Sequence, residues 1–190
     1  MSVTRALCLP VLLVCLSLLA SCAVPIAAKK TPHAAFEIGF SPKGQALSVI
    51  LNGIEQAEKS IQVAAYSFTS KPISTALLEA HRRGVDVRVV ADAKANSGQY
   101  SAVTFLANQG VPTRVNNRYA IFHHKFMVID GRHLETGSFN FSAAAADKNA
   151  ENVLCIAGYL TSLPKVCVRI FAKKNAKPPE LGKASRGGLE

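Results

Sequence analysis

The chain of 190 residues has no tryptophan and only two methionines. Acidic residues are scarce as well, 12 against 22 lysines and arginines, for a net charge of +10. A surface that short of carboxylates does not suit a cationic partner. It suits a polyanion, either nucleic acid or the face of an anionic membrane. The five cysteines include no CxxC pair and no Cys/His ligand cluster, which argues against a zinc site. No internal repeat is present, so a solenoid is excluded. What remains is a chain that is 49% hydrophobic, enough for one globular domain with a proper core.

The apolar run Ala6–Ala20 is short for a membrane-spanning helix. With Arg5 before it and Ala20-Ser21-Cys22-Ala23 after it, residues 1–28 read as a secretory signal peptide. Two processing styles compete. Ser21-Cys22-Ala23 and Ile26-Ala27-Ala28 each fit small-residue cleavage, whereas Leu19-Ala20-Ser21-Cys22 resembles a bacterial lipobox, with Cys22 as the lipidated residue. An uncleaved apolar anchor is the remaining alternative. The expectation is an exported protein, periplasmic or lipid-anchored to the membrane. Export permits a Cys155–Cys167 disulfide, but two ordinary thiols are the plainer expectation.

Residues 29–34 form a linker, and 35–158 alternate between strand and helix patterns. Phe36, Ile38 and Phe40 alternate as in a strand. Leu47, Ile50, Leu51 and Ile54 recur at helical spacing over about 45–58. A strand over 61–68, a helix opened by Pro72 and ended at Arg83-Gly84, and a strand through Val85, Val87 and Val89 follow. A short helix over 103–108 and strands over 111–115, 119–129, 134–137 and 152–157 complete the pattern. Asp130-Gly131 marks a hairpin, and Ala143–Ala146 a helical turn. The fold class is therefore α/β, a mixed sheet flanked by helices on both faces. After Gly158 amphipathic order is lost. Residues 159–190 read as an atypical basic tail, partly disordered from Lys173 on.

The chemistry-bearing residues crowd into His123-His124-Lys125 and Gly137-Ser138-Phe139-Asn140. Residues two apart in a strand share a face, so His123 and Lys125 point one way and His124 the other. An imidazole can attack phosphorus and form a covalent phosphoramidate, which splits one displacement into two. Lys125 can neutralise non-bridging oxygens, and Ser138 and Asn140 can donate hydrogen bonds to them. A carboxylate suits the task of holding the imidazole in its productive tautomer, and Asp130, Asp147 and Glu151 are the candidates.

His123-x-Lys125, Asp130 after four intervening residues, and Gly137-Ser138-x-Asn140 resemble the HKD motif of the phospholipase D superfamily. Glu151 sits where that family places a motif carboxylate. A single motif in a chain of this size, with a signal peptide, is similar to the bacterial Nuc-type endonucleases over about 35–157. The resemblance implies a homodimer with the active site on its two-fold axis. His123 would be the nucleophile in one subunit, and its dimer mate the general acid. Lys125 and Asn140 would bind phosphate with Ser138 supporting, Glu151 would orient His123, and Asp130 would serve a structural or electrostatic role. No metal or other cofactor is implied. Members of this group end in a Trp-containing amphipathic helix. This chain has no Trp, so that helix is expected to be altered or missing, leaving apolar sheet surface uncovered.

Three functions compete at this level. The first is a metal-independent, non-specific endonuclease acting on DNA or RNA, favoured by the charge. The second is a phospholipase D hydrolysing phosphatidylcholine-type phospholipids by the same chemistry. The third is an inactive or nucleic-acid-binding relic.

Overall fold

The computed structural model describes residues 35–98, 101–158 and 170–171. The signal peptide, Cys22, the linker, Cys167 and the rest of the tail lie outside these residues. Seven strands form one sheet: β1 (Ala35–Ser41), β2 (Ser60–Ala65), β3 (Asp86–Asp92), β4 (Thr113–Asn116), β5 (Lys125–Ile129), β6 (His133–Gly137) and β7 (Glu151–Ala157). Their order across the sheet is β1-β7-β6-β5-β2-β3-β4. β2, β3 and β4 run parallel, and every other neighbouring pair is antiparallel. The parallel pairs need helical crossovers. These are α2 (Lys71–Arg82) between β2 and β3, and α3 (Ala102–Asn108) between β3 and β4. The helix α1 (Ala46–Glu55) joins β1 to β2, and α4 (Ala143–Asp147) precedes β7.

Local chemistry explains the helix starts. Ser70, Ser101 and Ser142 each accept a hydrogen bond from a backbone N–H of the first turn that follows. The main core lies between the sheet and α1–α3. Ile50, Ile54, Ile73, Leu77 and Leu106 meet Ile61, Val63, Val87, Val89 and Met127 there. The opposite face carries a smaller cluster of Ala64, Val90, Phe122, Phe126 and Val128. Ile170 and Phe171, which are helical, pack against it. The mixed α/β sheet matches the sequence expectation.

Strand ends differ from expectation where side chains capture the backbone. The strand anticipated over 119–129 begins only at Lys125, because its partner β2 ends at Ala65, the residue opposite Lys125. The preceding segment is anchored instead by the Phe122 N–H, which donates to Asp92 Oδ2 at 2.8 Å. The strand anticipated over 61–68 stops at Ala65 for a similar reason. The buried Asn96 accepts from the Phe68 N–H at 3.0 Å and donates to the Tyr66 carbonyl at 2.6 Å.

β1 forms as its alternation predicts, but Gly39 and Ser41 face the core. A Cβ on Gly39 would stand 2.7 Å from the Ala46 Cα, so only glycine lets α1 approach that closely. Phe36, Ile38 and Phe40 face the other way and are 71%, 47% and 63% exposed.

Asp130 and Gly131 turn the β5–β6 hairpin with φ of 54° and 69°. The Asp130 carboxylate accepts from three successive backbone N–H groups, those of Glu58, Lys59 and Ser60, at 3.1, 2.7 and 2.9 Å. Desolvation pushes its pKa up. The Ser60, Glu58 and Lys59 donors and the charge of Arg132 outweigh that and hold the carboxyl below its usual range. Asp130→Ala is expected to strip these donors of their acceptor. A loss on the order of 1–3 kcal/mol in urea unfolding should follow. A folded-state carboxyl held low contributes stability that is present above the unfolded pKa and lost as pH falls through the folded one. The gap between the wild type and Asp130→Ala should therefore close in acid, and a gap constant down to pH 2 would refute this role.

Candidate active site

The sequence motifs converge at one end of the sheet, beyond the C-terminal ends of the parallel strands β2 and β3. Lys125 opens β5 opposite Ala65. Gly137 ends β6 opposite Val153, which places Ser138 beside Asn152 and Glu151 at the start of β7. Ser41, at the end of β1, is registered with Glu151. Gly137 is obligatory here, since a Cβ would lie 2.2 Å from the Asn152 carbonyl oxygen. That contact lets the Ser138 N–H reach the Asn152 carbonyl at 3.1 Å while Ser138 Oγ accepts from the Asn152 N–H at 3.0 Å.

The Ser138 hydroxyl donates to Glu151 Oε2 at 2.6 Å, and Asn149 Nδ2 donates to Oε1 at 3.1 Å. Both oxygens of Glu151 are thus engaged by neighbours other than His123. Lys125 is half-buried. Burial lowers its ammonium pKa, and the charge of Glu151 works against that. Phe139 is buried between Ser138 and Asn140, with Ser138 exposed and Asn140 half-buried. The buried Asn140 Oδ1 has no hydrogen-bond partner among the described residues.

His123 is exposed, just ahead of β5. Its ring meets that of Tyr66 edge-to-face, with centroids 4.6 Å apart and planes at 63°. Lys125 Nζ stands 5.1 Å from the centroid of the same Tyr66 ring and donates to the His123 carbonyl at 3.4 Å. His123 and Lys125 therefore work on one side. His124 lies on the other, wedged edge-on between Phe122 at 4.8 Å and Phe126 at 5.6 Å. Burial first, then the charges of Lys125 and His123, lowers the His124 pKa. Alternation along the chain separated the two histidines correctly.

One candidate is corrected. Asp130 belongs to the other end of β5, roughly 16 Å from Lys125 by strand rise. Its carboxylate is occupied by β2 backbone donors, so it holds the hairpin rather than the chemistry. Asp147, at the end of α4, is exposed and makes no hydrogen bond or salt bridge among the described residues. Sequence reasoning missed Tyr66, Asp92 and Asn96. The contacts that bring them to the site, Tyr66 with His123, Asp92 with Phe122 and Asn96 with Tyr66, span 30 or more residues, so no local pattern marks them.

What the cluster offers is a nucleophilic imidazole, a neighbouring ammonium, and hydroxyl and amide groups at a water-accessible sheet edge. That suits attack on an anionic, tetrahedral phosphorus centre. Among the described residues no three His, Cys, Asp or Glu side chains are grouped to share a metal ion.

Comparison with known proteins places the chain in a family. A family model described as "Cardiolipin synthase, PLD-like domain" matches residues 50–172, more than half the chain. A phospholipase D of Rickettsia felis is 38% identical over 117 residues, 62% of this chain and 58% of that protein. The human mitochondrial cardiolipin hydrolase is 36% identical over 114 residues, 60% of this chain and 45% of that protein. The chain thus spans about half the length of these curated relatives. Among solved structures, Nuc of Salmonella typhimurium, a phospholipase D family member, superposes with a TM-score of 0.66 at 39% identity, covering 74% of this chain and 91% of that one. NucT of Helicobacter pylori gives 0.60 at 25% identity, covering 72% and 91%. With the motif residues gathered at one sheet end and the family model spanning them, this chain belongs to the phospholipase D superfamily.

Proposed function

We propose that this chain is a phosphodiesterase whose substrate is nucleic acid, cut without sequence preference through a covalent phosphohistidine. The observation that carries the reading is the juxtaposition of His123 and Lys125 on one side of β5 with Ser138 and Glu151 beside them. An imidazole nitrogen of His123 attacks phosphorus, forming a P–N bond as the P–O bond to the leaving group breaks. The leaving oxygen takes a proton from an imidazolium. Water then attacks the phosphohistidine, its proton passes to the second imidazole, the P–N bond breaks, and a phosphate monoester departs. Lys125 and the Asn140 amide bear the charge that builds on the non-bridging oxygens, with Ser138 held on Glu151 beside them.

The described residues of one chain bring a single such histidine to the site. The reaction uses two, and the second is His123 of the partner subunit across a two-fold axis. The enzyme works outside the cytoplasm, periplasmic or held at the membrane through Cys22, as its first 28 residues suggest. The net charge of +10 supports a polyphosphate substrate.

One observation favours a phospholipid substrate instead. The exposed Phe36, Ile38 and Phe40 form an apolar row on β1 that ends next to Ser41, the residue opposite Glu151. Such a row can enter a bilayer interface. The two substrates are separated by assaying one preparation, in EDTA, for nicking of supercoiled plasmid and for choline release from phosphatidylcholine vesicles. Nicking with little choline release is expected, and choline release without nicking would overturn the nuclease reading.

A further inference from the structure

We propose that Tyr66 is the positioning residue of the active site, holding the His123 imidazole and the Lys125 ammonium on one aromatic ring. It rests on the phosphodiesterase reading above. His123 lies outside the strand ladder and is exposed, and no hydrogen bond to its ring nitrogens occurs among the described residues. Glu151 does not hold it within the chain: its carboxylate accepts from Ser138 and Asn149, and no bond to the His123 ring occurs among the described residues. An unrestrained imidazole would sample several rotamers, and in few of them would a nitrogen face phosphorus.

Tyr66 supplies the missing restraint. Its ring meets the imidazole edge-to-face at 4.6 Å, inside the range such pairs prefer. The same ring attracts Lys125 Nζ at 5.1 Å, which keeps the ammonium beside His123.

A restraint works only if it is itself restrained, and Tyr66 is. Its carbonyl accepts from Asn96 Nδ2 at 2.6 Å, and Asn96 Oδ1 accepts from the Phe68 N–H at 3.0 Å. Asn96 is 4% exposed and also donates to the Asp92 carbonyl at 2.9 Å. Two residues on, the Phe68 ring meets Phe141 at 5.7 Å, and the Thr69 and Ser70 N–H groups both donate to the Phe141 carbonyl at 2.8 Å. Phe141 directly follows Asn140. The segment bearing Tyr66 is therefore tied both to the end of β3 and to the Ser138–Asn140 segment. One ring relates the His123 imidazole to the Lys125 ammonium, and the segment that carries it is bonded to Phe141, next to Asn140.

The test compares the wild type, Tyr66→Phe and Tyr66→Leu as full-length proteins in EDTA, with bis(p-nitrophenyl) phosphate as substrate. The Phe variant keeps the ring and should retain kcat within about three-fold, whereas the Leu variant should lose kcat by roughly 10–100-fold with little change in KM. Equal kcat in the Leu variant and the wild type would overturn the proposal.

NMR of the His123 imidazole protons provides a readout that needs no turnover. A ring-current shift and nuclear Overhauser contacts to the Tyr66 ring are expected in the wild type, retained by Phe and lost in Leu. Absence of those contacts in the wild type would overturn the proposal even if the Leu variant failed to fold. Should no protein turn over the diester while the contacts are present, the reaction assignment fails and the positioning of His123 by Tyr66 stands.

Discussion

The His123→Ala protein is expected to lose cleavage of supercoiled plasmid by a factor of roughly 10⁴ or more, since the group that forms the covalent intermediate is gone. Fold and stability should change little, because His123 is exposed and its side chain contributes nothing to either apolar cluster. The loss should appear in kcat, with plasmid binding preserved, because phosphate contacts by lysine and arginine supply most non-specific affinity. His124→Ala is the internal control. That ring lies on the opposite face between Phe122 and Phe126, so its removal should cost stability while leaving chemistry within about ten-fold. Quenching the wild type during turnover with an alkaline denaturant, in which a P–N bond survives, should trap the DNA strand on His123 through its phosphate. Equal nicking by His123→Ala and the wild type, both in EDTA, would remove the mechanism.

Glu135 should make the protein less stable as pH rises from 4.5 to 8, and Glu135→Gln should abolish that trend. Its side chain points into the core face of β6, 2% exposed, between Met127 on β5 and Cys155 on β7, and its Oε2 has no hydrogen-bond partner. Burial alone pushes the carboxyl from its ordinary 4.5 up to about 8. The unfolded chain gives up this proton near 4.5, while the folded protein keeps it to about 8. Between those values the folded state binds more protons, so stability falls with rising pH. At pH 7 the penalty is about 3 kcal/mol, a large part of a typical domain's stability.

The Gln variant keeps the shape without the charge. Urea unfolding should therefore show it level with the wild type near pH 4 and more stable by about 3 kcal/mol at pH 7. Parallel pH profiles for the two proteins would contradict this. The same buried group bears on its neighbour. Burial first, then the charges of Glu135 and Glu37, raises the Cys155 thiol pKa. Cys155 should accordingly react slowly with thiol reagents at neutral pH.

Much of the fold was legible in the residues. Strand and helix periods in 35–158 locate each element, because each short segment carries its own pattern of buried positions, although β5 starts six residues later than expected. Asp130-Gly131 announced its hairpin through backbone conformations that few other pairs adopt. The two histidines do face opposite ways, as the two-residue alternation anticipated, although the strand itself begins only at Lys125.

Other features had no local signature. The alternation of Phe36, Ile38 and Phe40 identifies a strand but not its buried face. That face was decided by Gly39, whose missing side chain lets α1 settle against β1. Nothing in the local pattern marks Glu135, and only the register with Met127 and Cys155 puts it inside. Asp130 sits within the motif by sequence, yet its bonds to Glu58, Lys59 and Ser60 assign it to the far end of the sheet.

By itself, then, the sequence determined the alternating α/β architecture and the single occurrence of the His123-x-Lys125 pair in the chain. These depend on residue type and short spacing. Only the tertiary structure decided what surrounds that pair: Tyr66 against His123, Asn96 beneath Tyr66, Ser138 on Glu151. Each joins residues separated by 13 or more positions, and sheet order and register, not local propensity, determine which of them meet.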